Sequence, residues 1–149
     1  MESCCNTISS TYTTWNYLEG DLDMNKEDMK IMIKSQQGEM DALLMYEKLA
    51  KVVKDKKDAE TFKTLAKEEG QHAIVFKNFT NVVLKPKKAK SIFIPLLYKI
   101  IGKKKLYPMI AKGEYDAEKK YEPVVAKYKE VEKVKNDEHR HGDMVLALL

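Results

Sequence analysis

The strongest constraint on this chain is a pattern that it contains twice: a glutamate followed, 24 to 30 residues later, by a Glu-x-x-His. Glu39 stands 30 residues ahead of Glu69, which opens Glu69-Gly70-Gln71-His72. Glu114 stands 24 ahead of Glu138, which opens Glu138-His139-Arg140-His141. Residues three apart lie on one face of a helix, so each motif aims a carboxylate and an imidazole at a single point. One such motif is a weak signal in a helical chain. Two of the three histidines closing one, each behind a suitably spaced glutamate, is a specific signal.

The surrounding residues supply the helices. The chain has 149 residues, enough for one domain with a sizeable core, and only four Pro and six Gly, so helix is the favoured local structure. Residues 1–24 show no period and read as a loose arm; residues 25–149 read as the bundle. Asn25 is a plausible N-cap, with Glu27 and Asp28 in the first turn. The stripe Met32, Gln36, Met40, Leu43, Tyr46 and Ala50 follows at helical spacing and ends in the polar run Lys54–Asp58. Glu39 lies within that stripe, where an unpaired carboxylate is costly and a metal removes the cost. A second helix is predicted over about 58–80, with Phe62, Leu65, Ala66, Ile74, Phe76 and Phe79 as its periodic residues. Residues 81–107 read as a long crossover with a short helix. A third helix is predicted to start near Pro108 and to bend or end near Pro123. The fourth follows a turn at about 126–130 and runs to the C-terminus. The fold expected is all-α, a ferritin-like four-helix bundle with its long crossover between helices two and three.

Charge and cysteines narrow the function classes. The net charge is +4, carried by scattered lysines with Arg140 as the single arginine, which argues against sequence-specific nucleic-acid binding. Cys4 and Cys5 are adjacent, so they build neither a disulfide framework nor a four-ligand zinc site. A reducing, cytoplasmic compartment is expected. No secretory leader is visible, and the apolar stretch from Ile92 to Ile101 is too short to span a bilayer.

The residue types then point to a metal pair. Four carboxylates neutralise two divalent ions, and two neutral imidazoles complete the ligand set. Hard carboxylates with borderline imidazoles favour iron, with manganese or a mixed pair as alternatives. Ferritin-like carboxylate proteins build dinuclear sites from one Glu on each of two helices and a Glu-x-x-His on each of the others. The expected ligands are Glu39, Glu69, His72, Glu114, Glu138 and His141.

Gly38-Glu39 with Ala42, Tyr46 and Ala50 in register resembles the first helix of rubrerythrins. Gly113-Glu114 with Pro123 downstream and the two Glu-x-x-His motifs extend the resemblance over about residues 27–149. It implies a homodimer whose di-iron centre reduces hydrogen peroxide with electrons from a small redox protein. It also implies Glu69 and Glu138 as bridging ligands, Glu39 and Glu114 as terminal ones, and His72 and His141 holding one iron each. Rubrerythrins carry a further glutamate one turn after the third-helix ligand. Ala117 stands there instead, which opens dioxygen as an oxidant, and Glu118 beside it reads as a solvated charge. The four cysteines of a rubredoxin domain are missing, so a separate donor such as a rubredoxin is expected. The third and fourth helices look short for the family.

Several side chains have plausible supporting roles. Glu68 and Asp137 each stand four residues before a ligand histidine, placed to accept its second N–H. Tyr46 and Tyr121 each stand seven residues after a ligand glutamate; either can offer a hydroxyl to a ligand, with packing the expected role of Tyr121. The lysine-flanked segment 85–105 fits a crossover or a dimer contact, and less readily a membrane surface. The alternative functions are a non-enzymatic iron-handling module and a metal-free interaction bundle.

Overall fold

The computed structural model describes residues 24–149. The proposed arm, except Met24, lies outside them, as do Cys4 and Cys5. Among the described residues there are five helices: α1 Lys26–Ala50, α2 Lys56–Thr80, α3 Lys88–Ile101, α4 Lys103–Val125 and α5 Lys129–Leu146. Helices α1, α2, α4 and α5 form the bundle, and α3 lies in the crossover against α1. The architecture is the all-α ferritin-like bundle expected from the sequence.

Local chemistry sets the helix ends. The Asn25 side chain accepts from the Asp28 N–H and caps α1. The Asp55 side chain accepts from the Lys57 and Asp58 N–H groups, so α2 begins at Lys56, two residues before its expected start. Asn81, in the left-handed region at φ 53°, ends α2. Gly102 at φ 70° separates α3 from α4, so α4 starts at Lys103 and not near Pro108. Pro108 removes only the N–H that would meet the Lys104 carbonyl, on an exposed residue that water can serve. With this earlier start α4 reaches 23 residues. The turn into α5 takes residues 126–128, inside the predicted interval.

Two apolar clusters fill the bundle. One joins Tyr46, Leu49, Phe62, Leu65, Tyr107 and Ile110; the other joins Met32, Phe76, Tyr121, Val124, Val131 and Val134. Ile74 belongs to neither. It is 58% exposed, because the face of α2 that turns inward carries His72, Ala73 and Phe76. Gln36 is buried in the apolar stripe but fully engaged: it accepts from Thr80 Oγ1 at 2.6 Å and donates to the Val82 carbonyl at 2.8 Å. That contact, with Asp41 accepting from the Lys87 N–H at 2.7 Å, fastens the crossover to α1.

Candidate metal centre

Four helices deliver the six predicted ligands to one region. Glu39 comes from α1, Glu69 and His72 from α2, Glu114 from α4, and Glu138 and His141 from α5. All six are buried, the most open being Glu114 at 7%. Ligand atoms of Glu69, His72, Glu138 and His141 all lie within 4.8 Å of one another. Glu39 Oε2 approaches His72 Nδ1 at 3.7 Å. The two imidazole rings stack at 5.3 Å between centroids, 19° from parallel.

Each imidazole turns Nδ1 inward and Nε2 outward. His72 Nε2 lies 3.2 Å from Asp137 Oδ2, and His141 Nε2 lies 2.8 Å from Glu68 Oε2. An ionised carboxylate only accepts, so each Nε2 carries a proton, and each Nδ1 is the ring nitrogen turned to the interior, that of His141 lying 3.0 Å from Glu69 Oε1. The pairing is crossed. Asp137 serves His72 and Glu68 serves His141, whereas sequence proximity had matched each acid to the histidine four residues after it. The reason is that the acids lie on the edge of each helix that faces the opposite motif. Arg140 joins the two acids, donating to Glu68 Oε2 at 3.1 Å and Asp137 Oδ1 at 2.9 Å.

The glutamates are held by the same crossed logic. The Tyr46 hydroxyl donates to Glu114 Oε1, and the Tyr121 hydroxyl donates to Glu39 Oε1. Tyr121 is therefore both a core residue and a ligand partner, which corrects the expectation of packing alone. Glu118 pairs with His139 Nδ1 at 3.0 Å on the exposed face, so it is a surface charge as expected.

The electrostatics call for positive charge. Burial, then the neighbouring Glu39 and Glu138, pushes the Glu69 carboxyl far above the usual range. Burial, with the charge of Glu39, pushes Glu138 up to about 9. Burial opposes a charge on His72, but the Glu138 and Glu39 carboxylates outweigh it and push His72 up to about 10. Protons thus occupy a cluster of acids that a cation would neutralise. Three buried atoms make no hydrogen bond among the described residues: Glu69 Oε2, His72 Nδ1 and Glu138 Oε1. His72 Nδ1 and Glu138 Oε1 are only 3.0 Å apart, yet they are not aligned for a hydrogen bond to each other. Orphaned ligand atoms of this type, converging on one point, fit a bound metal.

The Rubrerythrin family model matches residues 30–149. The chain belongs to the rubrerythrin family. It has no significant match among curated proteins or among solved structures. Membership makes it a ferritin-like protein of a di-iron family, and the buried Glu/His cluster fits that metal-binding role. Among the described residues, no helix of this rubrerythrin-family chain is long and apolar enough to cross a membrane.

The clamp at Arg140 and the crossing of the partners carry no mark in the sequence. A signal for the tyrosines was present: Tyr46 and Tyr121 follow their glutamates at the same offset, an internal repeat that packing alone does not require. A cleft of about 720 Å³ also opens between α1 and α4. Glu39, Glu69, Glu114 and Glu138 line it, together with Gly38, Gly113 and Ala117.

Proposed function

We propose that the chain is a di-iron oxidoreductase that reduces hydrogen peroxide, or dioxygen, with electrons from a separate small redox protein such as a rubredoxin. The observation that carries this reading is the convergence of three unpartnered, buried ligand atoms within the Glu69, His72, Glu138 and His141 cluster, with Glu39 and Glu114 lining the adjoining cleft. Glu39, Glu69, Glu114 and Glu138 would hold the metal pair through carboxylate oxygens, and His72 and His141 through Nδ1. Two ferrous ions held there supply two electrons and open positions for a small oxidant.

The protein's part is positioning. Asp137 and Glu68 fix the imidazole tautomers, and Arg140 fixes those two acids. Tyr46 and Tyr121 stay protonated, since burial and the adjacent carboxylates push both hydroxyls well above their usual range. Each therefore restrains one oxygen of a glutamate ligand and leaves the other free. The cleft admits oxidant past Ala117, where the family's additional carboxylate would stand.

The test is anaerobic loading with ferrous ion followed by rapid mixing with peroxide and with dioxygen at equal concentration. Peroxide reduction with turnover by a reduced rubredoxin supports the proposal. A dioxygen rate well above the peroxide rate assigns an oxidase. Iron uptake without turnover by either oxidant assigns iron handling and overturns the enzymatic reading. Ala117→Glu should raise the ratio of the peroxide rate to the dioxygen rate.

A further inference from the structure

The charge of this chain is segregated. Between Lys85 and Lys105 there are eight lysines and no acid. The rest of the chain carries nineteen basic residues against 23 acidic ones, so it is net negative although the whole is +4. Helix α3 lies at the centre of the basic segment. It packs on α1 through Ser91, Ile94, Pro95 and Leu97, and it turns Ile92, Phe93, Leu96 and Ile100 outward. Those four are between 53% and 71% exposed. Ile92, Leu96 and Ile100 repeat every four residues and form one stripe with Phe93 beside it. Lys88 and Lys99 stand four residues before and seven after Ile92, on the border of that stripe.

We propose that the outer face of α3 is a docking surface for an anionic lipid bilayer, with the four apolar side chains entering the headgroup layer and the surrounding lysines meeting lipid phosphates. Three observations favour lipid over other occupants. A second copy docked through the same face would place lysine against lysine across the two-fold axis, because a symmetric interface pairs a patch with itself. A protein partner would use about one hydrogen bond per 100–200 Å² of interface. The outer face of α3 offers only ammonium groups, since the Ser91 hydroxyl is buried and donates to the Lys88 carbonyl at 2.9 Å. Finally, an apolar stripe bordered by flexible lysines, whose stems lie along apolar surface while their heads reach phosphate, is the pattern of helices that lie in a membrane interface. A dimer of this chain, if it forms, uses another face.

The experiment is co-sedimentation of the whole chain with vesicles of phosphatidylcholine alone and with vesicles enriched in phosphatidylglycerol, at low and high salt. Binding is expected only to the anionic vesicles and is lost at high salt. Lys88→Gln with Lys99→Gln should weaken partitioning on the order of thirtyfold, since each lysine near an anionic surface contributes about 1 kcal/mol. Phe93→Ser with Leu96→Ser should weaken it by about tenfold or more. All four side chains point away from the bundle, so far-UV circular dichroism and the melting temperature of each variant should match the parent. Equal binding to neutral and anionic vesicles, or no binding to either, overturns the proposal. So does sedimentation equilibrium showing a dimer that Phe93→Ser with Leu96→Ser converts to monomer, because the face is then an interface between copies.

Discussion

Asp137→Asn isolates the crossed arrangement around the histidines. The substitution keeps the size of the side chain and removes its charge. Asp137 accepts from His72 Nε2 at 3.2 Å, from Lys133 Nζ at 2.7 Å and from Arg140 at 2.9 Å. Burial disfavours its charge, but these donors outweigh it and hold the carboxyl well below the usual range. A hydrogen bond to an ionised acceptor contributes about 1.5–3 kcal/mol, against about 0.5–1.5 kcal/mol for a neutral one. The difference, about 1–1.5 kcal/mol, corresponds to roughly a tenfold loss in metal affinity. That is the lower end of the 10- to 100-fold range typical of residues that orient metal ligands. The assay is anaerobic competition for ferrous ion against a chromophoric chelator, run in three backgrounds: parent, His72→Ala and His141→Ala. If Asp137 acts through His72, its effect vanishes once His72 is gone and persists when His141 is gone. The reverse pattern would mean that Asp137 supports the histidine on its own helix, and the crossed reading would be wrong.

Stability of the metal-free protein should fall as pH rises. Glu138 goes from an ordinary 4.5 up to about 9 in the folded chain, and His72 from 6.5 up to about 10. Between those limits the native state holds protons that the unfolded chain has released, so the contribution is full below the lower value and lost through the upper one. Metal replaces those protons, so the loaded protein should instead lose stability toward acid; melting temperatures that run parallel with pH in the two forms would contradict this. Tyr46→Phe and Tyr121→Phe each leave a buried glutamate oxygen without its donor, and each should cost about 1.5–3 kcal/mol in urea denaturation. Gly142→Ala would set a methyl 2.5 Å from the Tyr115 ring and should destabilise by about 1–3 kcal/mol. Gly38→Ala and Gly113→Ala meet nothing within 4 Å and should stabilise by about 0.5–1 kcal/mol, with metal affinity unchanged; the same denaturation series checks all three.

The parts of the site that were legible in the sequence are those fixed by helical periodicity. A Glu-x-x-His faces one way whatever surrounds it, and a 24- or 30-residue separation fits a helix out and a helix back. The cap at Asn25, the turn at 126–128 and most of the stripe on α1 follow from similarly local rules. What was not legible depends on how helices rotate against one another. Asp137 is nearer to His141 in sequence, yet the packing of α2 on α5 carries it to His72. Pro108 is the stronger mark of a helix start in the sequence, whereas the backbone breaks at Gly102, where a positive φ is needed. Ile74 reads as core from its type alone, but its rotation about α2 places it outside.

The crossing has a consequence for assembly. Tyr46 on α1 holds Glu114 on α4, and Tyr121 on α4 holds Glu39 on α1. Asp137 on α5 holds His72 on α2, and Glu68 on α2 holds His141 on α5. Every one of these contacts runs between the α1–α2 hairpin and the α4–α5 hairpin. A hairpin alone therefore carries half of the ligands without the partners that set their orientation. The site comes into existence only when the hairpins dock, along a belt of buried acids between two apolar clusters. The acids oppose that docking through mutual repulsion, and a bound cation reverses the sign of their contribution. Metal affinity measured on this chain is then in part the free energy of joining its two halves. A substitution that loosens the hairpins without replacing a ligand or its hydrogen-bond partner, as at Phe62 or Tyr107 in the first apolar cluster, should weaken metal binding.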